Sequence, residues 1–227
     1  MRDLIKRLYL DNKDKFLNNY ARLNDFHNEY CVAEDTTGKP DCWFLYLLVS
    51  HLKPKVIFEA GTNVGTTAKF MADAAKDYGG VVHTSDPVNK YMPVPGYDEN
   101  IVFHNATCHT AVRDLRESGE KIDFAFYDAA FMTPDHFFDL LEIVRDKESF
   151  GFAVHDWTDA NGKFEKGKQN MDIFWQITEQ EGYQLFTPEL KAYKFGHTMT
   201  YVPETDRLIQ YGINGCTAVC LGPNFKV

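Results

Sequence analysis

The stretch KVIFEAGTNVGTTAKF, residues 55 to 70, decides the fold. It opens as a short apolar, β-branched run and breaks at Gly61. After Gly65 it resumes as an Ala-rich segment with helical spacing, so it reads as strand, turn and helix. Working outward, the same alternation recurs. VVHTSD (81–86), IVFHNA (101–106), KIDFAFYDA (121–129) and FGFAVHDW (150–157) read as further strands, and TAKFMADAAKDY (67–78), HTAVRDLRESG (109–119) and PDHFFDLLEIVRD (134–146) as helices between them. Strands that alternate with helices are the pattern of βαβ units, hence of an α/β protein with a mainly parallel sheet and helices on both faces. The long apolar runs fit strands buried on both sides.

On the N-terminal side, Leu4, Ile5, Leu8, Leu10 and then Phe16, Tyr20, Leu23 and Phe26 recur near helical spacing, giving one or two helices over residues 1–30. A turn at 35–40 leads into DCWFLYLLVSHL (41–52), a strongly apolar and therefore buried helix with Asp41 as its cap and Pro54 just beyond its end. On the C-terminal side, a polar loop (158–170) precedes a helix, MDIFWQITEQEG (171–182). A tail rich in Tyr, Thr and Val follows, suited to last, partly antiparallel strands. One domain, 1–227, is expected, made of N-terminal helices (1–52), a cofactor-binding core (53–160) and a C-terminal helix with strands (161–227).

Composition narrows the function. With 44% hydrophobic and 15% aromatic residues among 227, the chain has ample material for a core. A formal charge of −9 opposes nucleic acid and anionic membrane surfaces as partners, because both require a basic face. No secretory leader or membrane-spanning run is present, so a cytoplasmic protein is expected. The five cysteines, Cys31, Cys42, Cys108, Cys216 and Cys220, have neither disulfide-framework nor zinc-site spacing and read as reduced, mostly packing thiols.

In a doubly wound sheet, ligands bind beyond the carboxyl ends of the strands where the chain order reverses. Gly61 and Gly65 remove Cβ atoms where a ligand must approach the backbone, the following helix offers free N–H groups, and Thr62, Asn63, Thr66 and Thr67 add hydrogen-bonding groups. The turn is neither a G-x-G-x-x-G fingerprint, since position 63 is Asn, nor a P-loop, since Thr66 follows Gly65. Glu59 places an acid beside it, which suits a cation better than a pyrophosphate. Asp86, ending the second strand, is placed to accept from both hydroxyls of a ribose, a property shared by NAD and S-adenosylmethionine sites.

The E-x-G-x-x-x-G pattern, here EAGTNVG, resembles the first motif of the class I S-adenosylmethionine-dependent methyltransferases. The resemblance implies a Rossmann-like doubly wound sheet with an antiparallel C-terminal edge. It implies that Glu59, Gly61, Thr62, Asn63, Gly65, Thr66 and Asp86 hold the cofactor, Glu59 through its amino acid portion. Ala106 and Thr107 take the place of a Gly–acid pair beside the adenine, and Thr107 either bonds the base or caps the next helix. Asp128 and Asp156 close the fourth and fifth strands, at the same rim. In this they resemble small-molecule O-methyltransferases of the catechol and sugar types, in which matching aspartates bind magnesium. The resemblance then makes Asp128 and Asp156 metal ligands, with Asp128 also near the cofactor. Two departures stand out: Trp157 replaces the usual third ligand after the second aspartate, and Phe131 stands where sugar-type relatives carry a His.

The metal-free alternative uses His155, at an unperturbed pKa, or Asp128 as general base for an in-line methyl transfer. Asp128, His155 and Asp156 are therefore the catalytic candidates; a strand histidine facing a covering helix is the other reading of His155. The remaining histidines, His51, His83, His104, His109, His136 and His197, read as structural. Trp157, Tyr91 and Phe131 are candidates for an acceptor pocket, and the loops 87–100 and 158–170 for lids. The expected function is O-methylation of a small-molecule hydroxyl, on a sugar or secondary metabolite. An NAD-linked oxidoreductase and a non-catalytic nucleoside-binding protein are the alternatives. The N-terminal helices are candidates for homodimer packing.

Overall fold

A computed structural model of the chain describes residues 1–30, 37–88, 99–129, 134–146, 148–157, 171–187, 199–202, 207–210, 217–223 and 225. Cys31, Cys216, Tyr91, Phe131, His197 and most of both candidate lid loops lie outside the described residues. Helices α1 (Arg2–Asp11), α2 (Lys13–Tyr30) and α3 (Lys39–Leu52) precede strand β1 (Val56–Ala60). Then follow α4 (Thr66–Ala75) with a 3-10 turn, β2 (Val81–Ser85), β3 (Ile101–His104), α5 (Cys108–Glu117), β4 (Phe124–Tyr127), α6 (Pro134–Arg145) and β5 (Gly151–Val154). The rest comprises α7 (Met171–Gln180), β6 (Gln184–Phe186), a separate antiparallel pair β7 (Met199–Val202) and β8 (Arg207–Gln210), and β9 (Ala218–Leu221).

The main sheet has seven strands in the order β3-β2-β1-β4-β5-β9-β6. β1 to β5 pair in parallel, and β9 enters antiparallel between β5 and β6, the antiparallel C-terminal edge expected from the sequence. The α/β doubly wound architecture is thus the observed one.

Strand periodicity divides the core into two layers. Ile57, Phe124, Phe126, Ala153 and Val219 face one side, where α1 to α4 cover them. Their alternates Phe58, Ala125, Tyr127, Phe152, Val154 and Ala218 face α5, α6 and α7. Helix α3 is apolar on every side and buried nearly throughout, as its sequence predicts. Trp43 at its centre has the rings of Phe16, Tyr46 and Phe70 at 4.7, 5.2 and 5.0 Å, which locks α2, α3 and α4 together; each such pair adds ~0.5–1.5 kcal/mol beyond its buried area. Leu4, Ile5, Leu8, Phe16 and Leu23 are spent in this same cluster. These side chains of α1 and α2 therefore pack inward against α3 and α4. No helix among the described residues is long and apolar enough to cross a membrane.

Two local expectations need correction. Helix α3 begins at Lys39 with Gly38 as its N-cap and Pro40 in its first turn, so Asp41 is not the cap but a first-turn residue whose side chain is free for other use. The strands also stop earlier than their apolar runs suggest: β5 ends at Val154, and Asp156 turns out of the sheet at φ 52°.

The antiparallel insertion of β9 requires a residue without a side chain opposite it. A Cβ on Gly151, at φ +126°, would lie 2.0 Å from the Cys220 carbonyl oxygen. Gly151→Ala is expected to lose at least ~2 kcal/mol of unfolding free energy in urea titration, from strain and the parting of β5 from β9.

Candidate functional site

The five parallel strands end level. Register pairs Ala60 with both Ser85 and Tyr127, Ser85 with His104, and Tyr127 with Val154. The first residue beyond each strand still donates its N–H to its neighbour: Gly61 to Ser85, Asp86 to His104, Asp128 to Ala60 and His155 to Tyr127. Gly61, Asp86, Asp128 and His155 are therefore fixed along one rim by backbone bonds alone.

At the centre of that rim β1 lies between β2 and β4, the point at which the chain order reverses. Gly61 has φ +96°, and a Cβ there would sit 2.7 Å from the Asp128 carbonyl oxygen. Only glycine lets the two strand exits pass this closely. Gly65, at φ 78°, is the N-cap of α4, and Asn63 is also left-handed at φ 45°. Asp86 ties this turn to the next one, its carboxylate accepting from the Asn63 N–H at 3.1 Å and the Val88 N–H at 2.9 Å.

Glu59 behaves differently from a simple rim carboxylate. It is fully buried on the α4 side of the sheet, and the hydroxyls of Thr67 and Thr84 donate to its two oxygens. Thr62 in turn lies 2.6 Å from the Thr84 hydroxyl. Glu59 thus stitches β1, β2 and the start of α4 into one unit beneath the glycine turn. Burial pushes its carboxyl up to about 8, against the pull of the two threonine hydroxyls, with the charges of Asp128 and Asp86 adding to the rise.

The second group lies beside β4 and β5. His155 Nδ1 is 2.9 Å from Asp128 Oδ1 and 3.3 Å from Asp156 Oδ1, and donor atoms of these three residues all lie within 4.8 Å of one another. Nδ1 is shielded from solvent, and both oxygens lie off its N–H direction, so these are close charge contacts rather than aligned hydrogen bonds. Thr37, just ahead of α3, donates to Asp128 Oδ2 at 2.7 Å. Asp41 lies 3.8 Å from His155 Nε2 and accepts from the Thr217 hydroxyl at 2.6 Å.

Desolvation alone would lower the pKa of His155, but the Asp128 charge and contacts with Asp128, Asp156 and Asp41 outweigh it and hold the imidazole well above its usual 6.5. This overturns the expectation of an unperturbed base. In the absence of a cation, the surrounding carboxylates favour the charged form of the ring.

The other candidates sort cleanly. Thr107 is the N-cap of α5, its hydroxyl accepting from the Thr110 N–H. Trp157 is buried in the layer with α6 and α7. His83 contacts His104 at 3.0 Å, His109 contacts Asp139 at 3.1 Å and His51 contacts Asp11 at 3.4 Å; these are structural pairings. His136 lies against Cys108 in the same layer as Trp157, and Cys42, Cys108 and Cys220 are buried thiols outside any disulfide. The residues that sequence reading missed are Thr37, Asp41 and Thr217. A buried acid at a helix start was visible at Asp41, but no local pattern joins it to β5 and β9.

Glu59 gives a pH test. Its folded pKa of about 8 lies above the unfolded value of 4.5, so its contribution to stability is intact below the lower value and is lost as pH rises through the upper one. Thermal melts between about pH 5 and pH 9 are expected to show wild-type protein losing several degrees relative to Glu59→Gln, which cannot ionise. Parallel curves for the two proteins would contradict this.

Neither a family model nor a curated protein matches the sequence. Solved structures do. An O-methyltransferase from Bacillus cereus in complex with S-adenosylhomocysteine superposes with a TM-score of 0.61 at 14% identity, covering 90% of each chain. The O-methyltransferase TomG from Streptomyces achromogenes, involved in tomaymycin synthesis and bound to S-adenosylmethionine, gives 0.59 at 16% identity over 89% of this chain and 88% of its own. At these identities the likeness concerns architecture alone. The chain has the same fold as these O-methyltransferases.

Proposed function

We propose that the protein is an S-adenosylmethionine-dependent methyltransferase that methylates a hydroxyl of a small molecule, a sugar or secondary metabolite, in the cytoplasm, without a nucleic-acid or membrane partner. The observation that carries this is the juxtaposition, on one rim, of the glycine turn and the cluster formed by Asp128, His155 and Asp156. A cofactor site and a proton-handling site are thereby adjacent.

The residues present fit the cofactor. Gly61, Thr62, Asn63, Gly65 and Thr66 form a turn with little side-chain bulk at the start of α4. Asp86, half-buried and held by two backbone N–H groups, keeps further lone pairs for the hydroxyls of a ribose. Glu59 supplies acidity below the turn, and a cationic ligand above it favours its ionised form. Thr107 lies at the adenine end of the rim.

They also fit a divalent cation such as Mg2+, with Asp128 and Asp156 as oxygen ligands. When bound, such an ion lowers the pKa of an acceptor hydroxyl. The chain's own contribution is separate. Thr37 restrains one oxygen of Asp128 and leaves the other facing the cluster. Without a cation, His155 between the two carboxylates balances their charge, and Asp128 or Asp156 receives the proton of the acceptor hydroxyl. Methyl transfer is an in-line displacement, so holding acceptor and donor in line is most of the catalytic task.

Calorimetry with S-adenosylmethionine and S-adenosylhomocysteine tests the cofactor; absence of heat with both sinks the proposal. Asp156→Ala is expected to reduce turnover by ~100-fold or more while changing S-adenosylhomocysteine affinity by less than ~3-fold. Equal losses in both would remove Asp156 from the acceptor side.

A further inference from the structure

The oxygens of Asp128 and Asp156 do not stand alone at the proposed cation site, and the third group is a nitrogen. His155 Nδ1 lies 2.9 and 3.3 Å from one oxygen of each, without access to solvent and without an aligned hydrogen-bond partner. Adjacent ligands of a six-coordinate ion with bonds of ~2.1 Å are ~3.0 Å apart. The two nitrogen–oxygen spacings are those of adjacent ligands, and the three donor groups lie within 4.8 Å of one another. They are poor for three groups that merely happen to be neighbours, since two carboxylates facing one ring nitrogen off its N–H direction waste the hydrogen bond either could form.

The opposite side of the ring is also built. Asp41 Oδ2 faces Nε2 at 3.8 Å, and the Thr217 hydroxyl holds the other Asp41 oxygen at 2.6 Å. Both residues are buried, with 1% and 0% of their surface exposed. A carboxylate buried this deeply needs positive charge nearby; the N-terminal turn of α3 and the ring edge supply it. The consequence for His155 is orientation. When a cation bound by Asp128 and Asp156 displaces the Nδ1 proton, a carboxylate facing Nε2 holds the remaining proton there and leaves the Nδ1 lone pair toward the ion.

We propose that His155 Nδ1 is a cation ligand together with Asp128 and Asp156, that Asp41 and Thr217 are its positioning residues, and that the site prefers a borderline transition ion over magnesium. This rests on the divalent-cation reading of the same rim and adds the nitrogen. Three oxygens would suit Mg2+, whereas imidazole in the set shifts preference toward Co2+, Zn2+ or Fe2+.

Metal-free full-length protein, titrated with Co2+ and separately with Mg2+, tests this without any turnover assay. Wild-type protein is expected to bind Co2+ at least ~100-fold more tightly than Mg2+, with visible ligand-field bands. His155→Ala should abolish most of that preference while retaining weak Mg2+ binding. Asp41→Asn and Thr217→Val should each weaken Co2+ by ~10-fold or more and alter its spectrum, at unchanged S-adenosylhomocysteine affinity. Thr217→Val keeps every ligand and so remains informative if a charge-changing variant fails to fold. Co2+ affinity and spectrum unchanged in His155→Ala would overturn the nitrogen ligand and leave the cation reading standing. Wild-type protein that binds S-adenosylhomocysteine but neither ion would overturn the cation site, and no effect of Asp41→Asn or Thr217→Val would overturn the positioning role.

Discussion

The backbone of β4 leaves the sheet in contact with Gly61, and most of the site depends on that one close approach. The Asp128 carbonyl oxygen occupies the space that a side chain at position 61 would fill. This contact brings the turn after β1 and the exit of β4 together at the switch point of the sheet. Because the parallel strands end in register, it also sets the depth of Asp86 on one side and His155 on the other. A side chain at 61 would separate the glycine turn from the carboxylate cluster.

Charge is distributed unevenly along that rim, and burial decides how. Glu59 is hidden, bonded by two threonines and raised toward neutrality; it braces the turn from below. Asp86 remains half-buried and is held by backbone N–H groups, which keeps it a fixed acceptor. Asp128 and Asp156 share the imidazole of His155, and Asp41 waits behind it. Carboxylates on a single sheet edge thus acquire separate tasks through their second neighbours, the hydroxyls of Thr37, Thr67, Thr84 and Thr217.

The N-terminal helices belong to this arrangement as much as to the core. Helix α3 is buried on all sides and points its first turn at the cluster, delivering Thr37 and Asp41 to the ends of β4 and β5. The rings around Trp43 hold α3 against α2 and α4. The same helix therefore closes the core and completes the polar environment of His155.

Much of this was legible in one dimension, for a definable reason. Alternating apolar strands and helices, a glycine turn after the first strand and an acid at each later strand end are local patterns, and backbone periodicity converts them directly into a parallel sheet with a polar rim. EAGTNVG, Asp86, Asp128 and Asp156 could be picked out that way. The charge environment of His155, the burial of Glu59 and the service of Asp41 could not, because each depends on partners distant in the chain: Asp128 for His155, Thr84 for Glu59 and Thr217 for Asp41. Sequence alone determined the order of elements and which residues reach the rim, since both follow from short-range spacing. Only the tertiary structure decided which of those residues are solvated, paired or buried, since desolvation and charge coupling arise when strands and helices remote in sequence are packed together.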